Sequence, residues 1–394
     1  MPPPDAIRLT DAQRFDWLRL TRCENVGPRS FHALIHNCGG VAAALKALPD
    51  LARRGGATRP IRIATVAEIE RELAAAHKAG ARFVASCEPD YPPALRHIDS
   101  APPILALVGR AEAFLRPAVA IVGSRNASGA GLAFADRLAR ALGRAGYAIV
   151  SGLARGIDQR AHAASLETGT IAVLAGGHAR PYPPEAAPMI PRIAANGAVI
   201  SEMPIEWEPR GRDFPRRNRI VAGLALGAVI VEAARGSGSL ITARLAAEQN
   251  REVFAVPGSP LDPRAEGTND LLRDGANLCA RPEDVLNVLE PLRARDPFAI
   301  LREETPAAPV AARRIAADPA PPARHESALA AAPVSADPVR ARVLELLGPA
   351  PISIDELARV AEAPIAEVRV VLLELELAGR LEVAGGARVA LTAA

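Results

Sequence analysis

The sequence predicts a doubly wound α/β domain with a mainly parallel sheet, carrying a small helical domain before it and a winged helix after it. Three observations support this. Short apolar runs recur from residue 81 to residue 256. Segments with helical spacing, such as Leu132–Leu142 and Leu240–Gln249, lie between most of them. Three glycine-rich turns directly follow apolar runs: AIVGSRNASGAG (Ala120–Gly131), AIVSGLARGID (Ala148–Asp158) and VIVEAARGSGSLITAR (Val229–Arg244). Continuous apolar strands alternating with helices build parallel sheets covered on both faces. Right-handed crossovers then set the strand-to-helix turns on one sheet edge, where doubly wound sheets bind ligands.

Residues 11–78 read as short helices, with apolar spacing over Phe15–Leu20, Phe31–Ile35 and Val41–Leu48. The turn ENVGPRSF (Glu24–Phe31) separates the first two; such a turn either packs a helical hairpin or offers amides to a DNA phosphate. Strands are expected at 81–86, 104–109, 118–122, 147–151, 170–175, 197–201, 227–231 and 252–256. Residues 292–335 are rich in Ala and Pro without apolar period and read as an extended linker. Beyond it, 339–347, 353–361 (with Ser353 as N-cap) and 364–380 read as three helices, and 381–392 as a hairpin turning at Gly385-Gly386. Three helices and a hairpin make a winged helix-turn-helix. The expected domains are therefore 1–79, 80–291 and 336–394, with 292–335 linking the last two.

Composition sets limits on function. Of 394 residues, 49% are hydrophobic, so the chain can bury the cores of two or three domains. Lys46 and Lys78 are the two lysines; the remaining basic residues are arginines. The net charge of +3 is mild, so any nucleic-acid surface is a local patch. The four cysteines, Cys23, Cys38, Cys87 and Cys279, form no CxxC and read as small buried hydrophobes. The first residues lack a basic segment followed by an apolar one, and no apolar run approaches the ~20 residues that span a bilayer. A cytoplasmic protein without membrane insertion is expected.

The turns carry the chemistry. Gly123 lets the backbone approach an oxyanion, Ser124 donates its hydroxyl, and Arg125 can fork onto a phosphate. The spacing is not GxGxxG. Gly152, Arg155 and Gly156 repeat the arrangement one βα unit later, where Asp158 reads as a helix cap. His162 and His178 have no nucleophile or orienting carboxylate at a suggestive spacing and read as packing or surface residues. Gly236, Ser237, Gly238 and Ser239 expose amides at a positive helix end. No lysine follows, so this is not a P-loop. Glu232 before it is either an acid or a brace for the glycine loop. FPRRNRI (Phe214–Ile220) adds Arg216, Arg217, Asn218 and Arg219. With so few aromatic residues, Phe214 and Tyr182 are the candidates for base stacking. No catalytic residue, metal ligand or cofactor is implied. Several anion cradles without an acid–base pair suit a chain of phosphates better than one nucleotide.

VGSR, SGLARGID, YPPE (Tyr182–Glu185), SEMP (Ser201–Pro204), FPRRNRI, GSGSLITA, VFAVPG (Val253–Gly258), GTNDLL (Gly267–Leu272) and DGA (Asp274–Ala276) stand in one order. This series resembles the DNA processing A (DprA, also called Smf) family over residues ~80–290. The resemblance implies an extended Rossmann-like core that dimerises. It also implies an N-terminal SAM/helix-hairpin-helix-like domain and a C-terminal winged helix. The implied function is binding single-stranded DNA during natural transformation, protecting the incoming strand and loading RecA recombinase, without enzymatic activity. The family's DNA pocket maps onto Gly123, Ser124, Arg125, Gly152, Arg155, Gly156, Arg216–Arg219 and Gly236–Ser239. Gly177-His178-Ala179 departs from the family's usual GLD, and Ala186 stands where Asn is common; Arg180 is positioned to replace a lost polar contact.

Two other functions fit parts of the chain. A Rossmann-like nucleotide phosphoribohydrolase needs a PGGxGTxxE-type loop, whereas here Glu248 lies far along the helix after GSGS. A winged-helix transcription regulator needs a basic reading face. Residues 337–394 instead carry 6 Arg against 9 acidic residues, 6 − 9 = −3, which favours a protein partner for that domain.

Overall fold

The structure is a computed structural model that describes residues 7–294, 338–384 and 388–392. These fall into two compact units, one built from residues 7–8 and 70–294, the other from residues 9–69 and 338–392. The expected hairpin turn at Gly385-Gly386 and residues 295–335 of the expected linker lie outside the described residues.

The second unit opens with α1 (Asp11–Thr21), α2 (Pro28–Cys38) and α3 (Val41–Arg54), followed by the start of α4 (Val66–Lys78). Thr10 and Gln13 form a reciprocal capping box on α1. In the ENVGPRSF turn, Pro28 takes the first helical position, and Ser30 Oγ accepts from the Gly27 N–H at 2.8 Å.

The larger unit contains a nine-stranded sheet. Its elements run β1 (Arg82–Ala85), β2 (Ile104–Gly109), β3 (Ala118–Gly123), α5 (Gly129–Arg144), β4 (Ala148–Ser151), α6 (Ile157–Ser165), β5 (Thr170–Val173), α7 (Met189–Asn196) and β6 (Ala198–Ser201). Then follow α8 (Asp213–Leu224), β7 (Gly227–Val231), α9 (Gly238–Glu248), β8 (Glu252–Ala255), α10 (Glu266–Arg273), β9 (Asn277–Leu278) and α11 (Pro282–Ala294). The spatial order is β1-β2-β6-β5-β4-β3-β7-β8-β9. Strands β6 to β9 in that order are parallel; β2 pairs antiparallel with both β6 and β1. All eight expected strands are present. The two-residue β9 is an addition, too short to leave an apolar signature. Val119, Ile121 and Ile149 point into a core with Leu138 and Leu142 of α5, while Ala120, Val122 and Val150 meet Ile220 and Val221 of α8 on the opposite face. The doubly wound, mainly parallel expectation is thus what the chain adopts. Residues 292–294, at the head of the expected linker, complete α11.

The C-terminal part of the second unit is the expected winged helix: α12 (Pro338–Leu346), β10 (Ile352–Ser353), α13 (Ile354–Val360), α14 (Ile365–Leu377), β11 (Leu381–Ala384) and β12 (Arg388–Leu391). Ser353 caps α13 by accepting from the Glu356 N–H. β10 joins the hairpin as a third strand beside β12. Val368, Leu372 and Leu375 of α14 enter the domain's core. Its C-terminal half also packs on α2 and α3 of the same unit. There the buried Glu374 meets Arg54 Nε at 3.0 Å and also pairs with Arg340. Asn25 Nδ2 donates to the Leu377 carbonyl at 3.0 Å and Arg380 to the Gly55 carbonyl at 3.2 Å.

Replacing Glu374 strands two partly buried guanidinium groups. Glu374→Ala is expected to destabilise this unit by about 2–4 kcal/mol. Amide hydrogen exchange should quicken across α2, α3 and α14 and stay unchanged in β3–β7.

Candidate functional site

Sheet topology fixes where a ligand can sit. The chain passes from β3 through β4 and β5 to β6 on one side, then returns through α8 to β7 on the other side of β3. The order reverses between β3 and β7, and the crevice beyond their C-terminal ends is the usual ligand position in open α/β sheets. The three glycine turns leave β3, β4 and β7, which are neighbours in the order β4-β3-β7.

The turns also touch one another. Gly156 has φ +76°, and a Cβ there would collide with the Ser124 and Arg125 backbone, so the second turn backs directly onto the first. The Ile157 N–H donates to the Ser124 carbonyl at 3.3 Å, and the Ser124 N–H to the Val231 carbonyl at 3.3 Å. Gly123 lies so close to Val231 that any side chain would overlap its carbonyl. Glu232 braces the first loop: it accepts from the Ser128 N–H at 2.8 Å and from the Ser128 hydroxyl. Its role here is that of the brace, applied to the β3–α5 loop. Asp158 does not cap α6. It is buried in the helix's first turn and accepts from the Gly152 and Ala154 N–H groups at 3.1 and 3.3 Å, tying down the turn before the helix. Burial raises its carboxyl above the usual range, with the Arg217 charge opposing.

FPRRNRI forms the first turns of α8, and its arginines divide between three environments. Arg217 is buried and donates to the carbonyls of Gly152, at 2.5 Å, and Val173, at the C-terminal ends of β4 and β5. Burial pushes its guanidinium down to about 10, Asp158 opposing, so it stays charged at neutral pH. Arg219 donates to the buried Glu202 at 2.6 Å. Arg216, half-exposed, faces the same carboxylate at 3.0 Å. Asn218 Nδ2 donates to the Gly238 carbonyl at 3.1 Å, joining α8 to the start of α9. The sequence shows the three positive charges. Glu202, which holds two of them, carries no sequence signal beyond its place in SEMP.

The remaining candidates face outward or support those that do. Arg125 is exposed and lies over the Phe214 ring, 5.1 Å from its centroid. Phe214 meets Tyr182 edge to face at 5.3 Å, and Tyr182 is exposed. Arg155 is exposed and paired with Glu185 of YPPE. Ser237 caps α9, and its hydroxyl lies 2.8 Å from that of Ser239. Gly236, at φ +76°, and Gly238 have open space where a side chain would stand. Open space also lies at Gly129, the first residue of α5. His162 and His178 are buried; Thr170 Oγ1 lies 2.7 Å from His162 Nδ1 and the Val199 carbonyl 3.1 Å from His178 Nε2. Both therefore serve packing. Arg180 is exposed beside the departing GHA loop.

Fold and site together define a doubly wound α/β protein whose helix N-termini and an arginine–aromatic cluster meet at a topological switch point. The chain belongs to the DNA processing A (DprA, Smf) family. The family profile described as DNA recombination-mediator protein A matches residues 82–290, the DprA-like N-terminal HHH domain residues 11–75, and the DprA winged helix domain residues 318–387. The chain is similar to Protein Smf of Synechocystis, 34% identical over 78% of this chain and 79% of that protein. DNA processing protein A from Streptococcus pneumoniae superposes with a TM-score of 0.58 at 32% identity, covering 71% of this chain and 98% of that one. The Helicobacter pylori protein, whose structure is described for its single-stranded DNA binding mode, gives 0.50 at 30%, covering 54% and 96%. Among the described residues no helix is long and apolar enough to cross a membrane.

Arg217→Ala leaves the Gly152 and Val173 carbonyls and Asp158 without their cation. The expected loss is about 3 kcal/mol, read as a lower urea midpoint.

The buried histidines make stability depend on acid. Burial holds His162 at about 3, the Arg217 charge adding to it, and burial holds His178 at about 4, against ~6.5 in the unfolded chain. Between those values the unfolded state binds protons that the folded state refuses, so stability is full above pH ~6.5 and falls as pH drops towards about 3. Urea midpoints should follow this course, and His162→Gln should flatten it.

Proposed function

We propose that this chain is a single-stranded DNA-binding recombination mediator that captures DNA by its backbone. The observation that carries the reading is the convergence of three glycine turns on adjacent strand ends, beside an exposed arginine stacked on an aromatic pair. Amides at the starts of α5 and α9 meet phosphates, while the turn before α6, its Gly152, Ala154 and Ile157 amides bonded within the fold, supports them. Arg125 neutralises one phosphate, and Phe214 with Tyr182 stacks on bases. Gly129 and Gly238 support the reading: each has ordinary φ and open space around it, so nothing within the fold demands glycine there, whereas close approach of a phosphate would. Binding is then tolerant of sequence and weakens steeply with salt. The relatives' names and the Helicobacter pylori protein's DNA binding mode lend further support.

In the same reading the chain acts in the cytoplasm as a homodimer, protects incoming single strands and delivers them to RecA during natural transformation, without catalysing a reaction of its own. Two pockets per dimer raise avidity on a long strand.

A fluorescence titration of single-stranded DNA, duplex DNA and mononucleotides at two salt concentrations tests this. Single strands should bind far more tightly than mononucleotides, with a clear salt slope; equal affinity for a mononucleotide would sink the reading. Arg125→Ala should weaken single-strand binding about tenfold and reduce the salt slope by about 0.7, with unchanged thermal stability. Gly238→Ala should weaken binding through steric exclusion, also without unfolding. Unchanged affinity in both variants would rule out this crevice.

A further inference from the structure

Trp207 and Arg210 lie between SEMP and FPRRNRI, outside the glycine turns. They belong to the loop that leaves β6 and leads into α8. We propose that they form a second stacking station, which holds a nucleobase further along the strand than the Arg125–Phe214 pair. The inference rests on the single-stranded DNA reading above and extends its track.

The two stations share one construction. Arg125 lies over Phe214 at 5.1 Å, and Arg210 over Trp207 at 4.9 Å. Both arginines are exposed, and among the described residues neither has an acidic partner. An exposed guanidinium backed by a ring presents a flat cationic plane, a surface on which bases stack. The Arg137–Phe134 pair has the same i,i+3 spacing as Trp207–Arg210, but it lies on the body of α5 rather than in a loop beyond a strand end.

The stations are also mechanically joined. Asp213, buried at the start of α8, accepts from Trp207 Nε1 at 2.9 Å and from the Arg210 N–H at 2.8 Å. Phe214 is the next residue. The Trp207 ring is therefore held in place before any ligand arrives, which lowers the ordering cost of binding. Position fits as well. β6 is parallel to β5, so its C-terminal end lies on the same edge as the three glycine turns. From β3 to β6 is three strand spacings, about 14 Å. The loops that carry Arg125 and Trp207 thus leave the same edge at strands three places apart.

Charge selects the occupant. Residues Glu206, Trp207, Glu208, Pro209 and Arg210 line an open hollow of about 360 Å³. Glu206 and Glu208 are exposed. The two carboxylates repel a phosphate, and the guanidinium groups of Arg210 and Arg212 in the same loop no more than offset them. A neutral flat ring meets no such repulsion, and it fits between the Arg210 plane and solvent. Phosphates belong to the glycine turns, and this hollow takes a base.

The chain has two tryptophans, and Trp17 is buried in the other unit. Trp17→Phe leaves Trp207 as the reporting fluorophore in the full-length protein. Oligothymidylate should quench Trp207 emission saturably, with the midpoint seen by anisotropy of a labelled strand. Trp207→Ala should weaken binding about tenfold, as loss of one stacked base does. Arg210→Ala, which keeps the Trp207–Asp213 bond, should do the same, and Trp207→Phe, which keeps a ring but loses that bond, should fall between the parent and Trp207→Ala. Intact anisotropy binding with silent Trp207 emission and unaltered affinity in Trp207→Ala and Arg210→Ala overturns the station and leaves the crevice standing. Absence of oligothymidylate binding in the parent protein overturns both.

Discussion

The candidate site depends on one buried cation. The Arg217 guanidinium sits under the glycine turns and donates to carbonyls at the ends of β4 and β5. Burying a charge is costly unless its hydrogen bonds are met. Here two carbonyls meet them and the nearby Asp158 charge supports them. Asp158 in turn holds the Gly152 and Ala154 amides, Gly156 presses on the Ser124 and Arg125 backbone, and the Ser124 amide reaches Val231. Glu232, the next residue, closes the series on Ser128. The three turns thus form one connected framework rather than three independent loops. Such a framework uses its own amides to fix the turns, and so holds the first amides of α5 and α9 in place before binding, which is what makes a backbone cradle effective.

This changes what the positive charge of FPRRNRI means. A count of guanidinium groups suggests a basic patch, but two of the three share the one carboxylate of Glu202 and the third is buried. Their work is to fasten α8 across the sheet and present Phe214 at its start. Cations left without an acid, such as Arg125 and Arg210, lie outside that helix and rest on aromatic faces. A strand contacting this edge meets exposed guanidinium groups, two of which, Arg125 and Arg210, rest on flat supports. That arrangement matches a ligand with alternating phosphates and rings.

Much of the fold was legible because its signals are local. Continuous runs such as AVAIV and GAVIV cannot be solvated, and their alternation with amphipathic helices leaves a doubly wound sheet as the natural solution. The shared edge for the glycine turns followed from handedness alone. What stayed hidden depends on partners that only the folded chain brings into contact. Nothing local tells that Asp158 turns back to the amides of Gly152 and Ala154 rather than capping α6. Glu374 finds Arg54 some three hundred residues away in sequence. Trp207 escaped notice because its value lies in Arg210 and Asp213, which become neighbours of its ring only when the loop folds.

The winged helix shows how far composition can be pressed. Its acidic balance argued against a duplex-reading surface, and the packing supplies a structural reason for the sequence of α14. A helix that served only its own small core would need one apolar face. From Val371 to Leu375 this helix is buried at every position, because α2 and α3 cover the side that a free winged helix would leave to solvent. Glu374 lies in the middle of that run and is satisfied by arginines from both sides of the contact. A buried carboxylate with such partners specifies a docking register more than it adds stability. The acidic character of the domain is thus partly the counterpart of arginines on its neighbour, and part of what looked like a repulsive DNA surface is an internal seam of the protein.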